Sequence, residues 1–193
     1  HLVAHADEYN IDPNQLVLAG DSAGAQLASQ LATMASNPDY AKLVGLEPAV
    51  TADQLAAVVL NCGIYDVSGI PDAPGLGGWG FRIALWAYQG DKNWSKTPGG
   101  REMSTLDHIT ADFPQTWISG GNADPLTASQ SQPFAAKLAS LGVPVSTVFY
   151  PKDHEPKLEH EYQFHLTLTD AQDALTSTVD FLRSVTTGSA PAS

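Results

Sequence analysis

The chain has 193 residues, of which 43% are hydrophobic and 16% charged, and these values fit one globular domain with a sizeable core. Its net charge of −12 disfavours binding to nucleic acid or to an anionic membrane surface, because both need clustered Lys and Arg. The single cysteine, Cys62, excludes an intrachain disulfide and, in its apolar run, predicts a buried thiol.

Neither a membrane span nor a signal peptide is predicted. No apolar run approaches about 18 residues, which a transmembrane helix would need. The chain opens with His1-Leu2-Val3-Ala4-His5, without a basic start or a cleavage site, so a cytoplasmic location is expected. The last eight residues, 186–193, are predicted to form a flexible tail after a domain over residues 1–185.

The first predicted elements are an opening helix and a short apolar strand over residues 15–19. A second helix is expected to start near Ser22. Leu27, Leu31 and Met34 recur there at spacings of four and three residues, which predicts that these side chains form the buried stripe of the helix.

The next strand, over residues 56–64, is nearly continuously apolar, as a parallel strand covered on both faces is. Residues 65–107 then interrupt the alternation of strands and helices. They contain many Gly and Pro residues and three of the four tryptophans. This stretch is longer than a connection needs, which predicts a cap-like insertion over the sheet edge.

Two further strands are predicted over residues 115–119 and 143–150, with a helix between them. The last helix is expected to begin at Thr169 or Asp170. Its predicted buried stripe consists of Leu175, Val179 and Leu182. Strand–helix alternation of this kind predicts the α/β class, with a mostly parallel sheet and helices on both faces.

The strongest local motif is Gly20-Asp21-Ser22-Ala23-Gly24, between a predicted strand and a predicted helix. Attack on an ester carbonyl needs a hydroxyl held clear of the chain, and small residues two before and two after the serine permit the sharp turn that provides this. Ser22 is therefore the candidate nucleophile. The backbone N–H of Ala23 would point at the developing oxyanion and is the candidate oxyanion-hole donor.

The segment from Asp12 to Gly24, with the pattern Asp-Pro-x-x-Leu-x-Leu-Ala-Gly-Asp-Ser-Ala-Gly, resembles the nucleophile region of the hormone-sensitive-lipase-like esterases. Downstream, Asn122-Ala123-Asp124-Pro125-Leu126 resembles the acid motif of that family. The resemblance covers about residues 1 to 185 and implies an α/β-hydrolase fold, a triad in the order Ser, Asp, His, and hydrolysis of carboxylic esters. No metal or organic cofactor is required by this chemistry.

Asp124 follows a predicted strand, where a carboxylate would orient the imidazole of the base. Two histidines after the last strand, His160 and His154, are candidates for that base. His160 is favoured because His160-Glu161-Tyr162 resembles the His-Gly-Phe of the family, although Glu161 stands where Gly is usual. His154 is at the usual loop length after the strand but lies in a charged stretch.

Other signals carry less weight. His160 and His165 are five residues apart, so they diverge by about 140° on a helix and do not predict a metal site. In the resembling family the neighbourhood of the insertion walls the acyl pocket. Trp79 and Trp86 are therefore expected to contact the substrate.

An oxyanion hole needs two donors, and in the resembling family the second comes from a His-Gly-Gly-Gly motif well before the nucleophile. Only 19 residues precede Gly20, and none forms that motif. The expectation is a chain that corresponds to the C-terminal two thirds of an esterase. It would lack the early strands and therefore expose a sheet edge. A missing N-terminal segment or another copy of the chain would pair with that edge.

Two functions of different class follow. The first is a serine carboxylesterase that acts on short to medium acyl esters, with a small-molecule ester as its partner; a serine peptidase is a lesser rival because the same triad cleaves amides. The second is a non-catalytic hydrolase-like module that associates with another chain through the open edge.

Overall fold

The computed structural model describes residues 1–70 and 75–187, so most of the predicted tail lies outside the described residues. The strands are β1 (Leu16–Asp21), β2 (Leu55–Asn61), β3 (Thr116–Gly120) and β4 (Val145–Phe149). They form one sheet in the order β1-β2-β3-β4, and every neighbouring pair is parallel. The predicted α/β class with a mostly parallel sheet is confirmed.

The described α-helices are α1 (Ala6–Tyr9), α2 (Ala23–Ser36), α3 (Pro38–Val44), α4 (Gly75–Gln89), α5 (Pro98–Met103), α6 (Gln132–Ser140) and α7 (Thr169–Thr187). A π-helical turn, Thr127–Ser131, leads directly into α6. Within the described part of the chain, no helix combines the length and the apolar character needed to cross a membrane.

Helices cover both faces of the sheet. Successive side chains along each strand point to opposite faces, so each strand packs against helices on both sides. Val58 and Leu60 pack on one face with the alanines of α2 and with Phe134 and Leu138 of α6. Val59 and Trp117 pack on the other face with Ala171 and Ala174 of α7. This two-sided burial explains why β2 reads as an uninterrupted apolar run.

The prediction that Leu27, Leu31 and Met34 form the buried stripe of α2 is wrong. Ala25, Ala28 and Ala32 face the sheet, whereas Leu27 is 55% exposed and Leu31 and Met34 are half-buried. The reason is close packing: a Cβ on Gly20 would overlap the backbone of Gly24. A helix that starts so near the sheet can place only small side chains between them, so its large side chains point elsewhere.

The stripe predicted for α7 is also wrong in part. Ala171 and Ala174 are buried, while Leu175 is 48% exposed. Leu182 packs only partly against that side of the core. Small residues again lie where the helix is closest to the sheet. Hydrophobic periodicity alone favours the large apolar side chains and therefore misses them.

The connection from β2 to β3 contains α4 and α5 and has a small apolar core of its own. This core is formed by Ile64, Val67, Ile70, Leu85, Trp94 and Leu126. Leu126 follows β3, so the connection packs beside the carboxyl ends of the strands. At the opposite side of the sheet from β4, β1 pairs with β2 alone among the described residues.

Candidate active site

The four strands end at one edge of the sheet, and each is followed by a residue of the candidate site. Ser22 directly follows β1 and Cys62 directly follows β2. Asp124 lies four residues beyond the end of β3, and His160 lies in the loop after β4. Because carboxyl ends of parallel strands meet at the same edge, this topology brings side chains that are far apart in sequence together.

Ser22 occupies a strained turn between β1 and α2. Its backbone has φ 49° and ψ −117°, a conformation that side chains rarely adopt. The Ser22 N–H donates to the carbonyl of Asn61 at 2.9 Å, which fixes the turn against β2. Ala23 is the first residue of α2, so its N–H has no acceptor within the helix. The hydroxyl and this N–H are therefore presented at the helix N-terminus.

A continuous chain of hydrogen bonds joins Ser22, His160 and Asp124. His160 Nε2 lies 3.0 Å from Ser22 Oγ, and Nδ1 lies 3.0 Å from Asp124 Oδ2. The Asp124 side chain is fully buried, and its other oxygen accepts the Leu126 N–H at 2.9 Å. When the ring is neutral, its proton on Nδ1 faces the Asp124 carboxylate, and Nε2 accepts from the serine hydroxyl.

The hydrogen bond to Asp124 is the main cause of a raised pKa at His160, from 6.5 to about 10. Contact with the Cys62 sulfur adds to the rise, and burial of the ring opposes it. A negative charge beside the ring favours its protonated form. The environment of His160 therefore stabilises the imidazolium that forms when the ring accepts a proton from Ser22.

His154, the other candidate base, lies elsewhere. Its Nε2 is 2.8 Å from Asp170 Oδ1, and its ring packs against Tyr150 with 4.6 Å between centroids. This pair ties the loop after β4 to the first turn of α7. The structure thus brings together Ser22, Asp124 and His160 and does not bring His154 to the serine.

Asn122 clamps the loop that carries Asp124 to the loop that carries His160. Its Oδ1 accepts the Leu158 N–H at 2.9 Å, and its Nδ2 donates to the His154 carbonyl at 2.9 Å. The Ala123 N–H also donates to the Leu158 carbonyl at 2.9 Å. Sequence reasoning missed this role, because an Asn after two glycines is typical of an ordinary turn and does not indicate a contact with a distant loop.

Cys62 lies beneath the hydrogen-bonded chain. It is fully buried, and its sulfur is 3.3 Å from both side-chain polar atoms of Gln163. The ligand atoms of Cys62, Asp124 and His160 lie within 4.8 Å of one another, so they are the described residues that could approach a common metal ion. The carboxylate and imidazole already hydrogen-bond to each other, which is the arrangement of a proton relay.

An apolar cavity of about 250 Å³ opens beside Ser22. Leu27 of α2 and Phe81, Leu85 and Tyr88 of α4 supply much of its wall. Leu27 points here instead of into the core, which accounts for its exposure. The α4 residues recur at spacings of four and three, a periodicity that sequence reasoning could have used.

The structure places the predicted substrate-binding residues Trp79 and Trp86 away from this cavity. Trp79 is 57% exposed. Trp86 has the Lys92 ammonium 4.5 Å from its ring centroid and lines a different surface depression. Both residues lie on another face of α4 from Phe81 and Leu85, because a helix turns by about 100° per residue.

Several proteins that this chain resembles in sequence or structure are named esterases. Esterase LipQ of Mycobacterium tuberculosis is 28% identical over 163 residues, which cover 83% of this chain and 36% of that protein. Esterase B from Lactobacillus rhamnosis has a TM-score of 0.78 at 20% identity, and the match covers 97% of this chain and 58% of that chain. Thermogutta terrifontis esterase 2 with bound butyrate has a TM-score of 0.63 at 22% identity, covering 96% and 62%.

The chain thus spans about a third of the curated relative and less than two thirds of these solved structures. At such identities the structural matches show the fold alone. A sequence model of the α/β hydrolase fold matches residues 1–155, a stretch that includes Ser22 and Asp124. The predicted resemblance is confirmed: this chain belongs to the α/β hydrolase fold family.

Proposed function

We propose that this protein is a serine carboxylesterase that hydrolyses short to medium acyl esters. The observation that carries the proposal is the chain of hydrogen bonds from buried Asp124 through His160 to Ser22, beside an apolar cavity. In this proposal Ser22 is the nucleophile, His160 the general base and acid, and Asp124 the residue that orients the ring.

In the first half-reaction His160 Nε2 accepts the Ser22 proton while Oγ bonds to the ester carbonyl carbon. The carbonyl oxygen becomes an oxyanion that the Ala23 N–H stabilises at the N-terminus of α2. The imidazolium then gives its proton to the alcohol oxygen, the carbon–oxygen bond breaks, and an acyl-enzyme remains. Water activated by the same imidazole releases the carboxylic acid and restores Ser22.

The acyl group would lie in the apolar cavity between α2 and α4. Apart from Ser22 and Gln26, the residues of its wall are aliphatic, aromatic or Met, which suits a hydrocarbon chain and not a charged one. Two of the similar structures support short acyl groups: butyrate is bound to the Thermogutta esterase, and a C4-C4 tributyrin phosphonate inhibits the Lactobacillus enzyme.

The test is labelling of the purified protein with a fluorophosphonate, mapped by mass spectrometry. An activated serine should give an adduct on Ser22, and the adduct should be lost in Ser22→Ala and His160→Ala variants. His154→Ala serves as the matched histidine control and should retain labelling. Absence of an adduct in the parent protein, or its loss only with His154→Ala, would overturn the proposed roles. Hydrolysis of p-nitrophenyl butyrate by the same proteins provides the second measurement.

A further inference from the structure

A partly exposed carboxylate lies beside His160 in the candidate site. Glu161 follows His160 directly, and its Oε1 lies 3.8 Å from His160 Nε2, the nitrogen that is hydrogen-bonded to Ser22 Oγ. The Glu161 side chain is 46% exposed, so a bound molecule can reach it. Its backbone has φ 63°, in the left-handed region that glycine favours. A glutamate is thus held in a conformation that costs backbone energy, directly beside the proton-transferring nitrogen.

Glu161 and the wall of the apolar cavity come from different parts of the chain. The cavity wall comes from α2, α4 and the segments next to them, whereas Glu161 belongs to the loop after β4. If the acyl chain fills the cavity, the alcohol part of the ester leaves past His160, because Nε2 must protonate the alcohol oxygen from hydrogen-bond distance. The Glu161 carboxylate, 3.8 Å from Nε2, then lies beside the alcohol part of the ester.

We propose that Glu161 is a specificity-determining residue that selects esters whose alcohol part carries a positive charge, such as a quaternary ammonium group. This inference rests on the proposed esterase function and adds its substrate class. An ammonium two carbons from the ester oxygen would come within contact distance of the Glu161 carboxylate. The net charge of −12 attracts the same substrates from a distance.

The lysine closest in sequence does not neutralise Glu161. Lys157 Nζ lies 3.0 Å from Glu155 Oε1 and donates to the carbonyls of Lys152 and His154 at 3.2 and 3.1 Å. Among the ion pairs of the described residues, the partner of Glu161 is His160. A competing role follows from that contact: Glu161 could serve only to stabilise the imidazolium, which would affect every ester equally.

The test compares two esters of the same shape, butyrylcholine and uncharged 3,3-dimethylbutyl butyrate. The quantity measured is the ratio of their kcat/KM values in the parent protein and in a Glu161→Gln variant, which keeps the size of the side chain. The ratio of cationic to neutral ester should fall about fivefold in Glu161→Gln, the worth of one partly exposed ion pair. In the parent protein the ratio should also fall as salt is added.

Glu159→Gln is the matched control, because it removes one negative charge from an exposed side chain two residues away. It should leave the ratio unchanged. An unchanged ratio in Glu161→Gln, including an equal loss with both esters, would overturn the inference and leave the esterase function standing. If the parent protein hydrolysed neither ester and Ser22 took no fluorophosphonate, the proposed function would fail and this inference with it.

Discussion

Asn122 offers a direct test of how the two loops of the candidate site are held together. An Asn122→Ala substitution removes the acceptor for the Leu158 N–H and the donor to the His154 carbonyl. Leu158 is fully buried, so its unpaired N–H should cost about 1–3 kcal/mol, and loss of the second hydrogen bond about 0.5–1.5 kcal/mol. A total near 3 kcal/mol corresponds to a fall in Tm of about 6–12 °C for a protein of this size.

The assay is denaturant unfolding together with kcat/KM for p-nitrophenyl butyrate. Because the clamp fixes His160 against Asp124, kcat/KM should fall on the order of tenfold at temperatures where the variant is fully folded. An Asn122→Asp variant keeps the acceptor for Leu158 and should lose less stability than Asn122→Ala. Asn14→Ala, at an exposed position, is the control. An Asn122→Ala protein within about 0.5 kcal/mol of its parent, the range of ordinary surface substitutions, would refute the reasoning.

Three further predictions concern single side chains of the site. Asp124→Asn removes the cause of the raised His160 pKa. The acidic limb of the kcat/KM pH profile should therefore move to lower pH, while kcat falls by about 10⁴; a limb that stays in place would contradict this. Ala84→Phe should fill the cavity and lower kcat/KM for octanoate relative to acetate esters by on the order of tenfold, whereas Ala87→Phe on the same helix should not. Glu161→Gly relieves a positive φ of 63° and should raise the free energy of unfolding by up to about 1 kcal/mol; a lower stability would show that the side chain compensates for the strain.

The sheet could be predicted from the sequence because its strands are short apolar runs separated by helical patterns. The existence of α2 could also be predicted from the sequence. Which of its residues are buried could not. Ala25, Ala28 and Ala32 fill the interface with the sheet because Gly20 and Gly24 bring helix and strand into close contact. That distance is a property of the turn and not of the helical period, and the period alone favours the larger side chains.

The candidate site shows a similar division. The motif around Ser22 predicts the position of a presented hydroxyl, since strand, turn and helix are all local. The partner histidine depends on how a loop after β4 folds back over the end of β3, which local spacing does not determine. His154 and His160 differ in role because His154 pairs with Asp170 and His160 with Asp124, and each contact joins two separate elements of the chain.

The backbone strain of the described residues is concentrated at this site. Four non-glycine residues have positive φ, and three of them are Ser22, Cys62 and Glu161. Each such residue costs about 1–2 kcal/mol, which backbone hydrogen bonds from Ser22 to Asn61 and from Cys62 to Ser119 help to offset. Ser22 and Cys62 both turn away from the sheet directly after a strand, so one conformation presents the hydroxyl and the other places the sulfur beneath His160. Glu161 directly follows His160 with the third positive φ of the site, and its carboxylate lies 3.8 Å from Nε2, where the proposal places the alcohol part of the ester.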